Sequence, residues 1–212
     1  MRSNSVQTSS NPTFTESARR TQIMKCAIEV LAESGYSGAS LAEIARRAGI
    51  SKSVVLYYFS GKDDLLSSVV FDVYGRAGQA ITEALSHEAS PGEKIAAYVR
   101  TNLHFLEEHP ADIRAVVEIV SNARGSDGTH SFVPQGEDPV LAHFEQLLRE
   151  GQDGGEFREF DPHHLAIIIR SAIDTASGRL VADPSFDLAA YTRELLSVVE
   201  LATGIHRSEE SS

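Results

Sequence analysis

The sequence predicts an all-α protein in two parts, a small basic N-terminal unit of three helices and a larger acidic helical body. Three observations carry that prediction. Apolar residues recur at helical spacing nearly throughout, and no stretch shows the strict alternation of a strand. Start and stop signals cut this pattern into segments, among them Ser40-Leu-Ala-Glu43, Gly49, Ser51, Pro91, Pro162 and Asp183-Pro184. Charge is unevenly spread: residues 1–62 hold eight Lys/Arg and four Glu, a net +4, in a chain whose total is −11, leaving −15 for the remainder.

The first 16 residues are polar, without the apolar core of a secretion signal, and are expected to form a disordered tail. A first helix is expected over about Ser17–Ser34, with Ile23, Ala27, Val30 and Leu31 on one face and Gly35 ending it. Ser40 and Glu43 have the spacing of a capping box, in which each side chain satisfies the other's free amide. They open a short second helix carrying Leu41, Ile44, Ala45 and Ala48, closed by Gly49. Ser51 is placed to cap a third, brief helix ending near Ser60-Gly61. Asp63 and Asp64 then sit in the first turn of a fourth, expected to reach Ser86, with Gly75 and Gly78 marking close packing or a flexible joint. Further helices are expected over about Gly92–Glu108, Ala111–Asn122, Pro139–Glu150, Pro162–Ala182 and Pro184–Thr203, with a long loop at 123–139. The expected domains are therefore 17–62 and 63–204, with tails at 1–16 and 205–212.

The two short helices joined across Ala-Gly-Ile-Ser form a helix-turn-helix, the unit whose second helix enters the DNA major groove. Ile50, Val55 and Phe59 have the spacing of an inward face. Lys52, Ser53 and Val54 then lie on the exposed N-terminal turn, where short side chains reach base edges. Tyr57 and Tyr58 fall on flanking faces, where a phenol donates to a phosphate. Lys62, at the start of the fourth helix, joins the free helix amides in an anion site suited to a backbone phosphate. Ser40, Arg47 and Ser51 complete the expected DNA contacts. Arg46 reads equally as a solvated face, and Arg19 and Arg20 equally as a basic arm or a disordered one.

Gly35-Tyr36, Ser40-Leu-Ala-Glu-Ile-Ala45, Ala48-Gly-Ile-Ser51, Tyr57-Tyr-Phe59 and Lys62-Asp-Asp-Leu-Leu66 stand in the order and spacing of one family. Over about residues 17–66 the chain resembles the TetR family of one-component transcriptional regulators. That resemblance implies an all-helical homodimer whose N-terminal domain binds DNA and whose C-terminal domain dimerises and binds a small molecule. Val54 stands where members usually carry Thr or Ser, and Leu56 where they usually carry an aromatic, which bears on the operator sequence.

The remaining features exclude more than they assign. Cys26, the single cysteine, rules out an internal disulfide and suits a reducing cytoplasm. No apolar run is long enough to span a bilayer. His104 near Glu107 and Glu108, and Asp161 near His164, are the only hints of a metal or enzyme site. No Glu-x-x-His pair, zinc spacing, nucleophile elbow, phosphate loop or dinucleotide fingerprint accompanies them. No cofactor, metal or catalytic residue is expected.

The reading is a cytoplasmic, dimeric, ligand-responsive regulator, a repressor before an activator, binding a palindromic operator. Its competitors are a helical enzyme or metal protein, and a DNA-binding protein without a small-molecule effector. Ile173, Leu195 and Val199 are the expected dimer-interface residues, on two strongly apolar C-terminal helices. A pocket for a largely apolar effector is expected among Phe105, Ile113, Val117, Phe144, Leu148 and Ile169, with His104, His143 and Asp174 as polar points.

Overall fold

The computed structural model describes residues 14–124, 139–183 and 185–204. The described residues form nine helices and no strand. The chain divides into two compact units, one up to Val69 and one from Val70. Most of the expected loop at 123–139, the C-terminal tail, Pro184 and the first 13 residues lie outside the described residues.

In the first unit, α1 covers Phe14–Gly38 and is broken at Gly35, whose φ of 66° is open to glycine at no steric cost. The helix therefore starts inside the expected tail, and the chain stays coiled for three residues past the break. Ile23, Ala27, Val30 and Leu31 of α1 are buried, as the periodicity requires. Helix α2 (Leu41–Arg47) ends in a Schellman motif: Ile50 N–H donates to Ala45 O at 3.0 Å and Gly49 N–H to Arg46 O at 3.2 Å. The left-handed turn this needs falls on Gly49, φ 67°. Only half of the expected capping box forms. Ser40 Oγ accepts from Glu43 N–H at 3.1 Å, but the Glu43 carboxylate turns to the Arg46 guanidinium, at 2.6 and 2.8 Å.

Helix α3 (Lys52–Tyr58) buries Val55 and is followed by buried Phe59, and α4 (Lys62–Ser86) closes this core with Leu65, Leu66 and Val69. Ser60 N–H and Oγ both donate to Asp64 Oδ2, at 2.8 and 3.1 Å, which fixes the entry into α4. Gly75 and Gly78 are not close-packed against another helix among the described residues: beyond the backbone of α4 itself, nothing lies within 4 Å of where a Cβ would stand on either.

The second unit takes in α4 from Val70 onward and α5 (Pro91–Glu108), α6 (Pro110–Asn122), α7 (Pro139–Asp153), α8 (Pro162–Ala182) and α9 (Leu188–Thr203). Helix α5 packs on α7, α8 and α9, and α8 in turn on α6, α7 and α9. The core holds Ile95, Val99, Leu103, Phe105, Ile113, Ile119, Phe144, Leu148, Ile169 and Ile173. Ser90 and Glu93 form a complete capping box on α5, reinforced by Glu156, whose carboxylate takes Ser90 Oγ at 2.9 Å and Gly92 N–H at 3.1 Å. Helix α9 begins four residues later than Asp183-Pro184 predicts. Asp187 is its N-cap, accepting from Ala190 N–H at 2.8 Å, while Asp183 closes α8 and holds Ser185 N–H and Oγ.

Candidate nucleic-acid interface

The outward face of the first unit is set by how α3 is anchored. Val55 and Phe59 point inward, so the residues between them are presented to solvent. Ser51 Oγ caps α3 by accepting from Val54 N–H at 3.3 Å and lies 2.8 Å from Ser53 Oγ. Lys52, Ser53, Leu56 and Tyr57 are exposed, Val54 and Tyr58 half-buried. Tyr57 is 73% exposed, and its ring stands edge-on to Tyr58 with centroids 5.0 Å apart. Lys52 has no hydrogen bond or ion pair among the described residues. An unpaired ammonium, two short polar side chains and a free phenol thus share one short helix and its N-cap.

Around α3 the expected contacts separate. Ser40 is exposed at the start of α2, its hydroxyl engaged as the cap. Arg47 is turned the other way: its guanidinium grips the Glu33 carboxylate at 2.5 and 2.9 Å, with Glu29 at 3.7 Å. The hydrogen bonds from Arg47 hold the Glu33 carboxyl below the usual range and raise the arginine correspondingly. Arg47 is thus committed to α1, a role invisible to spacing because its partners lie 14 and 18 positions away. Lys62 also turns inward. Its ammonium donates to Tyr36 O at 2.9 Å and sits 4.1 Å from the centre of the Tyr36 ring, and partial burial lowers its pKa.

Arg20, read from sequence as half of a basic arm, is instead a structural contact at the end of α3. It donates to Tyr58 O and to Ser68 Oγ (3.2 Å), and its guanidinium lies 4.2 Å from the Phe59 ring centre. The signal was present: Arg20 continues the stripe of Ile23, Ala27 and Leu31 one turn earlier, so it was bound to lie against the unit's interior.

In the second unit, Phe105, Ile113, Phe144, Leu148 and Ile169 are brought together and buried, and Val117 is half-buried beside them. The Phe144 ring lies 4.7 Å, centre to centre, from the Tyr98 ring. His143 and Asp174 are exposed and do not reach that interior; Asp174 pairs with Arg170 at 3.2 Å. His104 is exposed too, beside Glu107 and Glu108. Two open grooves lie between α5 and α9 instead. The larger, about 620 Å³, is floored by Ile95, Phe157, Leu196 and Val199 and edged by Glu88, Glu93, Glu156 and Glu200. The smaller, about 310 Å³, has His104 in its wall with Arg100 and Arg193. Among the described residues no group of three or more His, Cys, Asp or Glu is placed to hold a metal ion.

The expected interface residues Ile173, Leu195 and Val199 are 3%, 9% and 7% exposed and belong to the core of the single chain. They sit at the centre of the apolar stripes, which a single chain buries first. The large apolar residues that these two helices leave exposed are Ile167 and Ile168 on α8 and Val198 and Leu201 on α9. No helix among the described residues is long and apolar enough to cross a membrane.

A capped helix-turn-helix in one unit and an all-helical second unit are the parts of a DNA-binding transcriptional regulator. Comparison with known proteins agrees. Residues 23–69 match the pattern of the tetR family of bacterial regulatory proteins, and residues 91–200 that of the C-terminal domain of BetI-type transcriptional repressors. The chain belongs to the tetR family, and it is a regulator and not an enzyme. The fatty acid metabolism regulator protein of Bacillus subtilis (strain 168) is 27% identical over 188 residues, 87% of this chain and 94% of that one. The fold is shared with the solved fatty acid degradation regulator FadR of Bacillus halodurans, at a TM-score of 0.73 and 22% identity over 85% of this chain and 94% of that one. It is shared also with FadR of Bacillus subtilis in complex with stearoyl-CoA, at a TM-score of 0.67 and 23% identity, covering 88% and 99% of the two chains.

Proposed function

We propose that this chain is a cytoplasmic homodimeric repressor that reads a palindromic operator through α3 and is released by a long-chain acyl thioester. The observation that carries the DNA reading is the solvent-facing set Lys52, Ser53 and Tyr57 on a helix whose opposite side is anchored by Val55 and Phe59. Two copies of such a helix, one DNA turn apart at about 34–36 Å, fit successive major grooves and require a two-fold dimer. Ile167, Ile168, Val198 and Leu201 offer the apolar faces of α8 and α9 on which two protomers would pair.

The effector class comes from the relatives. The Bacillus subtilis structure holds stearoyl-CoA, and the relative from that organism is matched along nearly its whole length. An acyl chain suits the apolar interior bounded by Phe105, Ile113, Val117, Phe144, Leu148 and Ile169. Those residues are buried here, Val117 apart, so the ligand would select an opened arrangement, and it acts as an inducer only by preferring a state that DNA does not. Helix α4, which starts at Lys62 and continues unbroken to Ser86, is the element through which that preference would pass. The test is a band shift on a duplex enriched from a random library by the full-length chain. Stearoyl-CoA should release the duplex while coenzyme A alone leaves it bound. Release by neither, or equally by both, rejects an acyl-chain effector.

A further inference from the structure

We infer that Arg20 is the positioning residue that sets the angle of the reading helix, and that it acts without touching DNA. The inference rests on α3 being the reader, as proposed above. Of three contacts made by one guanidinium, two fall on the segment that ends α3 and the third on α4. Its Nη1 donates to Tyr58 O, the last residue of the helix, where carbonyls have no partner within the helix and carry the negative end of its dipole. Its Cζ lies 4.2 Å from the ring centre of Phe59, the residue that leaves the helix and turns into the core. Its Nη2 donates to Ser68 Oγ at 3.2 Å, on the second turn of α4. Arg20 thus joins α1, the end of α3 and α4 at a single planar group.

The chemistry demands arginine. A guanidinium presents donors in a fixed fork, so one nitrogen bonds Tyr58 O while another bonds Ser68 Oγ, and the plane between them remains free to stack. An ammonium keeps the charge but lacks the fork and the stacking plane. The position is also economical in what it controls. Helix α3 has seven residues and one fully buried side chain within it, Val55, so its tilt is free unless its C-terminal end, where buried Phe59 follows, is also held. A fixed C-terminal end removes that freedom, and with it the misplacement of Lys52 and Ser53 that a two-turn helix otherwise allows.

The test uses the full-length chain with Arg20→Lys and Arg20→Gln, and two duplexes: one enriched by the wild-type chain from a random library, and one of random sequence. Circular dichroism first establishes that each variant is folded. The expected result for R20K is a loss of about tenfold on the enriched duplex, the scale of one charge-assisted hydrogen bond, with affinity for the random duplex and the salt slope unchanged. R20Q should behave the same way with a larger loss. If Arg20 instead contacts a phosphate, R20Q weakens both duplexes alike and the slope of log K against log salt falls by about 0.9. That result overturns the inference, and so does an R20K that discriminates as the wild type does. Loss of the folded state in both variants also overturns it, because a contact that only orients α3 does not carry the fold. A wild-type chain that enriches no duplex removes the reading of α3 and this inference together.

Discussion

The ammonium of Lys62 lies 2.9 Å from Tyr36 O and 4.1 Å from the centre of the Tyr36 ring, so the start of α4 is tied to the turn that follows the Gly35 break. This single relationship changes what Lys62 can do. One of its three N–H groups is committed to the protein, leaving two for a phosphate at the start of α4. The partial burial that makes the contact also lowers its pKa. Lys62→Ala is therefore expected to weaken binding to random and enriched duplexes by the same factor and to reduce the salt slope by about 0.9. A sequence-dependent loss would show that Lys62 acts on the reading helix instead.

The same shift gives a pH dependence with a definite sign. A lysine whose folded pKa is below its unfolded one binds fewer protons folded than unfolded across the interval between the two. In that alkaline interval stability rises with pH, whereas at neutral pH the desolvation penalty is fully present. DNA affinity moves the opposite way, since the charge that meets the phosphate is lost below the ordinary lysine range. Affinity for a random duplex should fall as pH climbs toward that range, and Lys62→Arg should abolish the fall. An unchanged alkaline profile in K62R would place the titrating group elsewhere.

Arg47 yields the opposite expectation from the one its position in the sequence invites. Because Glu33 and Glu29 hold its guanidinium against α1, Arg47→Gln should leave the salt slope unchanged and lower the melting temperature slightly. A slope reduced by about 0.9 would mean that the guanidinium exchanges carboxylate for phosphate on DNA.

Base preference should instead follow Lys52 and Ser53, both exposed on the first turn of α3. Lys52→Ala or Ser53→Ala should change which duplexes are enriched from a random library, at about 1–3 kcal/mol for a good base contact. Variants that enrich the wild-type duplexes with unaltered preference would contradict α3 as the reader.

How much was legible in the sequence depended on the range of each interaction. The helix-turn-helix was readable because its devices are local: Ser51 caps Val54 three residues on, and Gly49 supplies a left-handed turn that its own Schellman bonds require. The inward turn of Val55 and Phe59 follows from helical period alone. The intramolecular contacts of Arg47 and Lys62 were not legible, because each cation found a partner 14 or 26 residues away and composition sees such a charge only as surface. The inward face of Arg20 was legible by period, one turn before Ile23 on the buried stripe, and only its partners were not. The start of α9 was misread because Asp183-Pro184 and Asp187 carry competing start signals, and Asp183 was taken first by Ser185. His143 and Asp174 were assigned to a cavity by chemistry rather than by period, and both stand on the exposed side of their helices.

Dimerisation is testable by setting buried against exposed apolar residues on the same helices. Ile173 and Val199 are core residues of one chain, so Ile173→Ala should destabilise the fold by about 2–5 kcal/mol. Ile168 and Leu201, 61% and 65% exposed, cost a single chain little when changed. If they line the pairing face, Ile168→Asp with Leu201→Asp should yield a folded monomer by sedimentation and lose the enriched palindromic duplex. A double variant that remains a dimer would move the interface off the α8–α9 face.

The effector proposal makes its sharpest prediction in the length of the acyl chain. Burying a methylene contributes about 0.8 kcal/mol, so removing four carbons from a fully enclosed chain should weaken binding by about 3 kcal/mol, or roughly 200-fold. Myristoyl-CoA should therefore bind far more weakly than stearoyl-CoA if the chain enters the interior around Phe105, Phe144 and Ile169. A chain lying in the open groove above Ile95, Leu196 and Val199 stays partly in water and should show a much shallower dependence. The glutamates on that groove's edge also disfavour an anionic carrier there, whereas the closed interior imposes a cost of opening that only a long chain offsets. Coupling supplies an independent check. If stearoyl-CoA lowers affinity for the enriched duplex by some factor, the duplex must lower affinity for stearoyl-CoA by the same factor. Calorimetric titration of the acyl thioester, with and without saturating duplex, measures it. Equal affinities in the two titrations would leave a ligand-binding protein whose ligand does not control its hold on DNA.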